Sequence, residues 1–251
     1  YGQFSTSQFN ENPTRWPSRS TRAIINEAIM VTLATKIYVK GDARDRAIRS
    51  LDSIISNDIG QLNVSYDISF TPQHFPEISI HGEDEVAATS ILIETWGEIL
   101  PPVKNGSEYI GTLSSWDDQG FLLDSLEPVH IPSNNLGLGP GTPAQIKQRF
   151  GLVQHMPLTF IQGEPASLSK KELDRLYSWR RGLGRVNVNS ATKSEVRATV
   201  NKSGHAKDIV SVERVGLLEQ SIICSAGTDP PGILAAIGPY LPSEMKCVIP
   251  L

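Results

Sequence analysis

The chain has 251 residues, of which 39% are apolar, and its 23 basic and 27 acidic side chains give a net charge of −4. This composition supplies enough apolar material for real cores, and the length favours two or three small domains. No apolar run approaches the ~20 residues of a membrane-spanning helix, and the first residues lack the pattern of a secretory signal. We therefore expect a cytoplasmic protein that does not bind a membrane, with Cys224 and Cys247 reduced and buried.

The charge is unevenly distributed along the chain. Residues 170–214 contain eleven basic and five acidic side chains, a local balance of +6, so the remainder carries −10. An acidic protein with one basic zone is unlike a non-specific coat on DNA. It favours a partner that is met at one defined patch.

Residues 1–29 are rich in Ser, Asn, Gln, Thr and Arg and show little periodicity. Such a segment cannot bury enough apolar surface to offset its ordering entropy, so it predicts a flexible N-terminal extension. Met30 directly precedes VTLATKIYVK, which suggests either that Met30 is the natural initiator or that the extension is dispensable.

Residues 30–100 predict a βαββα module. KIYV (36–39) is the expected first strand, and Asp42 begins a helix with apolar residues at helical spacing. NVSYDISF and EISIHG alternate as strands around a proline-containing turn, and a second helix covers about 84–96.

Residues 101–166 predict a small β-barrel of the OB type. The expected strands are EYIGTLSSW, GFLLD, PVHIP and PLTFIQG, and one helix begins after Thr142 with Pro143 as its first residue. YIGTLSSWDDQGFLLD followed by VHIP resembles the opening strands of an S1-type RNA-binding barrel.

Residues 167–251 predict a basic helix followed by a ferredoxin-like module. Ser169 and Glu172 form a capping-box pair for a helix over 170–181. The strands RVNVN, IVSVERV, QSIICSA and MKCVI, with helices at about 192–203 and 230–239, follow in the β-α-β-β-α-β order of the split βαβ motif. The predicted fold class of the whole chain is α+β.

No pattern in the sequence points to a catalytic residue, a metal site or a cofactor. The histidines and cysteines lack metal-ligand spacing, and no nucleophile motif is present. Gly139, Gly141 and Thr142 precede a helix and resemble a phosphate-cradling loop. The loop lacks the lysine of a Walker A motif and does not fit G-x-G-x-x-G. An anion-binding loop and a structural turn are therefore both open.

The basic zone is the best candidate for a binding site. Arg180, Arg181 and Arg185 surround a Gly-Leu-Gly turn, and the arginine fork suits phosphate. Lys193 and Arg197 share one helix face. The central strands carry no aromatic residues for base stacking, so contact to phosphates through helices or loops is favoured. The alternative is a solvated face with local ion pairs.

The chain from TKIYVKGDARDRA at Lys36 to the C-terminus resembles a known family. The most specific stretches are GLGPGTPAQIKQRFGLVQHMP, GHAKDIVSVERVGLLEQ and GTDPPG. The sequence resembles a conserved archaeal family known only as a domain of unknown function. This resemblance implies an archaeal cytoplasmic source, and it implies no activity and no established site.

The hypothesis that best accommodates these features is a non-enzymatic RNA-binding or ribosome-associated factor of the archaeal translation or RNA machinery. One competing hypothesis is a protein-interaction scaffold linked to transcription, whose acidic N-terminal module meets a protein partner. Another is an enzyme that acts on nucleotides through the Gly137–Thr142 loop. The fold analogy with RNA-binding architectures is an associational argument.

Overall fold

The computed structural model describes residues 28–251, and within this range it has six α-helices and three antiparallel sheets. The predicted α+β class is confirmed. The predicted extension, residues 1–29, lies outside the described residues except for its last two positions. Among the residues described, no helix is long and apolar enough to cross a membrane.

The N-terminal module consists of β1 (Ile29–Thr32), α1 (Asp42–Ile59), β2 (Val64–Phe70), β3 (Pro76–Gly82) and α2 (Glu85–Trp96). Its sheet has the order β1-β3-β2. The apolar faces of both helices cover this sheet, with Leu51, Ile78 and Leu92 in one buried cluster. The βαββα order matches the prediction.

The prediction that KIYV (36–39) forms the first strand is wrong. The first strand is β1, seven residues earlier in the chain, and it pairs with β3. The stretch Thr35–Tyr38 leaves the sheet because its polar side chains contact other modules. Lys36 forms an ion pair with Asp124, and the Tyr38 hydroxyl donates a hydrogen bond to Glu219.

The central module contains β4 (Glu108–Asp117), β5 (Gly120–Asp124), β6 (Val129–Pro132), α3 (Pro143–Arg149), β7 (Pro157–Ile161), β8 (Ser167–Leu168) and α4 (Lys170–Arg181). The sheet order is β6-β5-β4-β7-β8. The predicted barrel is not closed by hydrogen bonds, because the edge strands β6 and β8 approach each other without pairing. β8 has only two residues, which is too short to build the closing ladder. Helix α4 packs on this module through Leu176 and Trp179.

The C-terminal module contains β9 (Arg185–Val188), α5 (Lys193–Lys202), β10 (Ile209–Arg214), β11 (Gln220–Cys224), α6 (Pro230–Ile237) and β12 (Met245–Val248). Its sheet is antiparallel throughout, in the order β10-β11-β9-β12. Cys224 and Cys247 are free thiols, buried and half-buried respectively. Burial raises the pKa of both, that of Cys247 to about 11, so both are protonated at neutral pH.

The loop between β10 and β11, which belongs to the C-terminal module, packs against the N-terminal module. Leu217 and Leu218 lie in the N-terminal core, and the backbone N–H of Leu217 donates to Thr35 Oγ1 at 2.8 Å. Tyr38 donates to Glu219 Oε1 at 2.7 Å and accepts from the Ser190 N–H at 2.8 Å. We call the residues Thr35–Tyr38 together with Val215–Glu219 the module joint.

Stability should depend on pH through Glu219. Burial raises the pKa of this carboxyl from 4.5 to about 8, so the folded protein holds a proton that the unfolded chain releases. The resulting stabilisation is complete below about pH 4.5 and is lost as the pH rises through about 8. Glu219→Gln keeps the size and an acceptor oxygen but does not titrate. We expect its thermal midpoint to match wild type near pH 5 and to exceed it by several degrees near pH 9.

Thermal unfolding of both proteins across this pH range measures the effect. The matched control is Glu127→Gln at an exposed position, which should change the midpoint little at either pH. A wild-type midpoint that keeps a constant offset from that of Glu219→Gln at all pH values would contradict a buried, protonated carboxyl.

Candidate functional site

The three arginines predicted around the Gly-Leu-Gly turn have different environments. The Arg185 side chain is only 12% exposed, and its guanidinium lies 4.8 Å from the centre of the Trp179 ring. It donates to Ser221 Oγ at 3.2 Å and lies 3.9 Å from the Glu213 carboxylate. Burial lowers its pKa. Arg185 therefore joins the C-terminal sheet to helix α4 as part of the protein interior.

Arg180 and Arg181 also differ from each other. Arg180 is half-buried, with its guanidinium 5.8 Å from the Phe150 ring, and its carbonyl accepts a hydrogen bond from the N–H of Leu251. Arg181 is exposed. Of the three predicted phosphate-binding arginines, only Arg181 is fully available to solvent.

Lys193 and Arg197 line a surface groove between the N-terminal and C-terminal modules. Its volume is about 560 Å³, which suits a stretch of ligand chain better than a single ion. The groove also contains three arginines that the sequence analysis did not select as site residues. We call this site the cationic groove and define it by its basic side chains Arg46, Arg49, Lys193, Arg197 and Arg214.

Two helices and one strand position these side chains. Arg46 and Arg49 are three residues apart on α1, and Lys193 and Arg197 are four apart on α5, so each pair shares a helix face. Arg214 is the last residue of β10. Ser50, Ser53 and Ser194 add hydroxyl groups to the lining.

Among the described residues that line the groove, one side chain is acidic, and it is already engaged. The Glu195 carboxylate accepts from the Thr192 N–H at 2.9 Å and from Arg46 Nε at 2.8 Å. Burial opposes its ionisation, but these hydrogen bonds outweigh burial and lower its pKa. The Thr192 side chain in turn accepts from the Glu195 N–H, which completes a capping box at the start of α5. The amides there are thus partly satisfied, and the groove's positive charge comes from its side chains.

The other four cations, Arg49, Lys193, Arg197 and Arg214, are not engaged in salt bridges within the described chain. The Arg214 guanidinium lies 5.0 Å from the centre of the Trp96 ring. Burial lowers its pKa, an effect that the negative charge of Asp58 opposes. The groove can therefore attract and bind a ligand with several negative charges.

The glycine-rich loop is ordered by contacts within the chain. Gly139 and Gly141 have positive φ angles of 81° and 129°, and Arg149 donates to the carbonyls of Leu138 and Pro140. Thr142 forms a full capping box with Gln145. These contacts account for the loop as a structural turn. Its use as an anion site stays a prediction.

The most strongly perturbed titratable groups lie away from the groove. His155 stacks on Tyr38 with ring centroids 3.8 Å apart, and burial lowers its pKa to about 4, so it is neutral at pH 7. It contacts the module joint. Across the described chain, no group of three or more His, Cys, Asp or Glu side chains is arranged to hold a metal ion.

Comparison with protein families identifies all three modules. Residues 30–102 match the DUF2110 N-terminal domain, residues 103–180 the central domain and residues 183–249 the C-terminal domain. The chain belongs to the DUF2110 family. The predicted resemblance to a family of unknown function is confirmed. No curated protein matches the chain. The cationic groove combines residues of the N-terminal and C-terminal DUF2110 domains.

The sequence alone does not place Arg46 and Arg49 in the binding site, and the reason is structural. They lie in the stretch ARDRAIRS, where their spacing of three residues places them on one face of the predicted helix. However, they are remote in sequence from the basic zone, and the packing of the two modules brings α1 beside α5. Arg214 was counted in the basic zone, but its strand position gave no reason to single it out.

We expect Arg185 and Arg181 to respond differently to mutation. Arg185→Ala removes a buried stack on Trp179 and the hydrogen bond to Ser221, so it should lower the free energy of unfolding by about 1–3 kcal/mol. Arg181→Ala at an exposed position should change it by less than about 0.5 kcal/mol. Denaturant unfolding of both variants measures the difference. Equal effects would show that Arg185 is not an interior residue.

Proposed function

We propose that this protein binds RNA and that it does so through phosphate contacts in the cationic groove. The observation that carries the proposal is the meeting of five basic side chains from two modules around a single, already engaged acid among the described residues. Phosphate contacts dominate the affinity of proteins for nucleic acid, and arginine and lysine are the residues that make them.

The distribution of charge over the whole chain supports the proposal. The protein has a net charge of −4, yet the groove is basic. A polyanion is repelled by the acidic remainder and attracted to the groove, which favours one docking position. This is the behaviour expected of a factor that meets RNA at a defined site, as a ribosome-associated protein would.

The architecture gives weaker support. The C-terminal strand order β10-β11-β9-β12, with two helices, is compatible with a ferredoxin-like module, and we include that assignment in the proposal. The central five-stranded sheet gives less support to an OB-like relationship because it is open. An archaeal, cytoplasmic setting belongs to the same proposal and rests on the family resemblance.

We propose binding rather than catalysis. Three strongly perturbed groups, Tyr38, Glu219 and His155, lie at or beside the module joint and do not line the cationic groove. The groove itself offers guanidinium, ammonium and hydroxyl groups. That set suits the recognition of phosphate without bond cleavage.

Charge reversal in the groove should strongly weaken RNA binding. The variant Arg49→Glu/Lys193→Glu/Arg197→Glu changes three side chains without an ion pair in the described chain, so the fold should survive. Because three cations no longer meet phosphates, the slope of log affinity against log salt should shallow by about two units for a single-stranded RNA. Fluorescence anisotropy with labelled RNA at several salt concentrations measures both effects.

The control carries the same charge change at another surface. Lys104, Lys170 and Lys171 are exposed and do not line the groove, so their triple replacement by Glu should retain most of the affinity. Equal losses of affinity in the two triple variants would indicate a general charge effect. Wild-type protein that shows no salt-dependent RNA binding at about 0.1 M salt would refute the proposed function.

A further inference from the structure

A second groove adjoins the cationic groove and shares Lys193 and Arg197 with it. It lies between helix α5 and strand β10 and has a volume of about 350 Å³. We call it the edge groove. Its buried floor is apolar, formed by Val200 and Val212, while Val210 on its wall is 61% exposed.

The polar groups of the edge groove come from side chains and from the backbone. Asn201 and Ser211 line it. β10 is an edge strand of its sheet, so one side of its backbone presents N–H and C=O groups that no other strand of the described chain pairs. An amide side chain both donates and accepts hydrogen bonds, as does a hydroxyl. The groove thus combines an apolar surface with mixed donors and acceptors.

A β-bulge shapes this edge. The pairing of β10 with β11 shifts between Ile209 and Ser211, which leaves Val210 without an opposite residue. Bulges at sheet edges redirect side chains and interrupt the regular ladder. Here the redirected side chain is an exposed valine that lines the groove.

We propose that the edge groove holds an unpaired base of single-stranded RNA whose phosphates lie in the cationic groove. The inference rests on the proposed function and names its substrate class. The shared Lys193 and Arg197 place phosphate-binding cations beside a slot whose floor carries two valines. The valine floor packs against the face of the base, and Asn201, Ser211 and the free edge of β10 face its polar rim.

Duplex RNA does not fit this arrangement. Its bases are paired, and its deep, narrow major groove hides their edges from side chains. Only an unpaired base is free to turn away from its neighbours and enter a slot between a helix and a strand. The described lining of the slot has no aromatic side chain, so the base packs against aliphatic groups instead of stacking on a ring.

A peptide that adds to β10 as a further strand is the competing occupant. Strand addition uses a regular ladder of backbone hydrogen bonds. The bulge at Val210, seen in the pairing with β11, makes the backbone of β10 irregular beside the groove, and the two cations favour a polyanion. The observations therefore favour the nucleic acid.

Three RNA probes of equal length test the inference with the full chain. They are a mixed-sequence single strand, the same strand annealed to its complement, and an abasic chain of the same sugar-phosphate units. We expect the single strand to bind about tenfold more tightly than either of the others at about 0.1 M salt, because only it offers an unpaired base.

Neutral substitutions separate base contacts from phosphate contacts. The double variant Asn201→Ala/Val210→Gln should reduce the affinity for the single strand to near that for the abasic chain. Its salt slope should equal that of wild type, because no charge has changed. Val103→Gln is the control, since this valine is 78% exposed and lies outside both grooves; it should leave every affinity unchanged.

The outcomes distinguish the two proposals. Equal wild-type affinity for the single strand and the abasic chain, or tighter binding of the duplex, overturns the base site while phosphate binding by the groove stands. No salt-dependent binding of any probe refutes the proposed function, and the base site with it. A polyglutamate peptide that binds wild type more tightly than the single strand, and loses affinity in the double variant, assigns the groove to a peptide instead.

Discussion

The hydrogen bond from Tyr38 to the buried Glu219 is one of the contacts that position the two sides of the cationic groove. It secures the N-terminal module, which carries Arg46 and Arg49, against the C-terminal module, which carries Lys193 and Arg197. The ion pair between Arg46 and Glu195 also crosses this boundary, but both side chains are partly exposed and such pairs contribute little. Because Glu219 is fully buried, a bond to it is expensive to break, and the joint can hold the modules in register.

Burial separates the structural charges from those available for binding. Lys147 is paired with Glu244 and lies 3.9 Å from the Trp116 ring, and Arg185 is packed against Trp179, so both stabilise the interior. Lys193 and Arg197 have no such compensation in the described chain. Like charges four residues apart destabilise a helix slightly. Stability therefore does not account for this cluster, and its position is consistent with the proposed binding of a polyanion.

Local sequence patterns predicted most helices and strands, but they could not predict the contacts between modules. The strand RVNVN and the caps at Thr142 and Ser169 predicted elements that the structure contains. The KIYV strand and the closed barrel failed because Lys36 bonds to another module and β8 is too short. One feature of the sequence does indicate the module joint. Hairpin turns are normally polar, yet the turn between β10 and β11 contains Leu217 and Leu218.

Two of the stretches that resemble the family contain residues at contacts between modules. GHAKDIVSVERVGLLEQ contains the joint residues Leu217–Glu219. In GLGPGTPAQIKQRFGLVQHMP, the carbonyl of Gly151 accepts from Asn187 Nδ2 at 2.7 Å, and Gly151 has a φ of 61° with no room for a side chain beside Val248. These contacts therefore help to specify how the modules are arranged. A groove made by two modules requires such an arrangement, since neither module alone brings the basic side chains of both helices together.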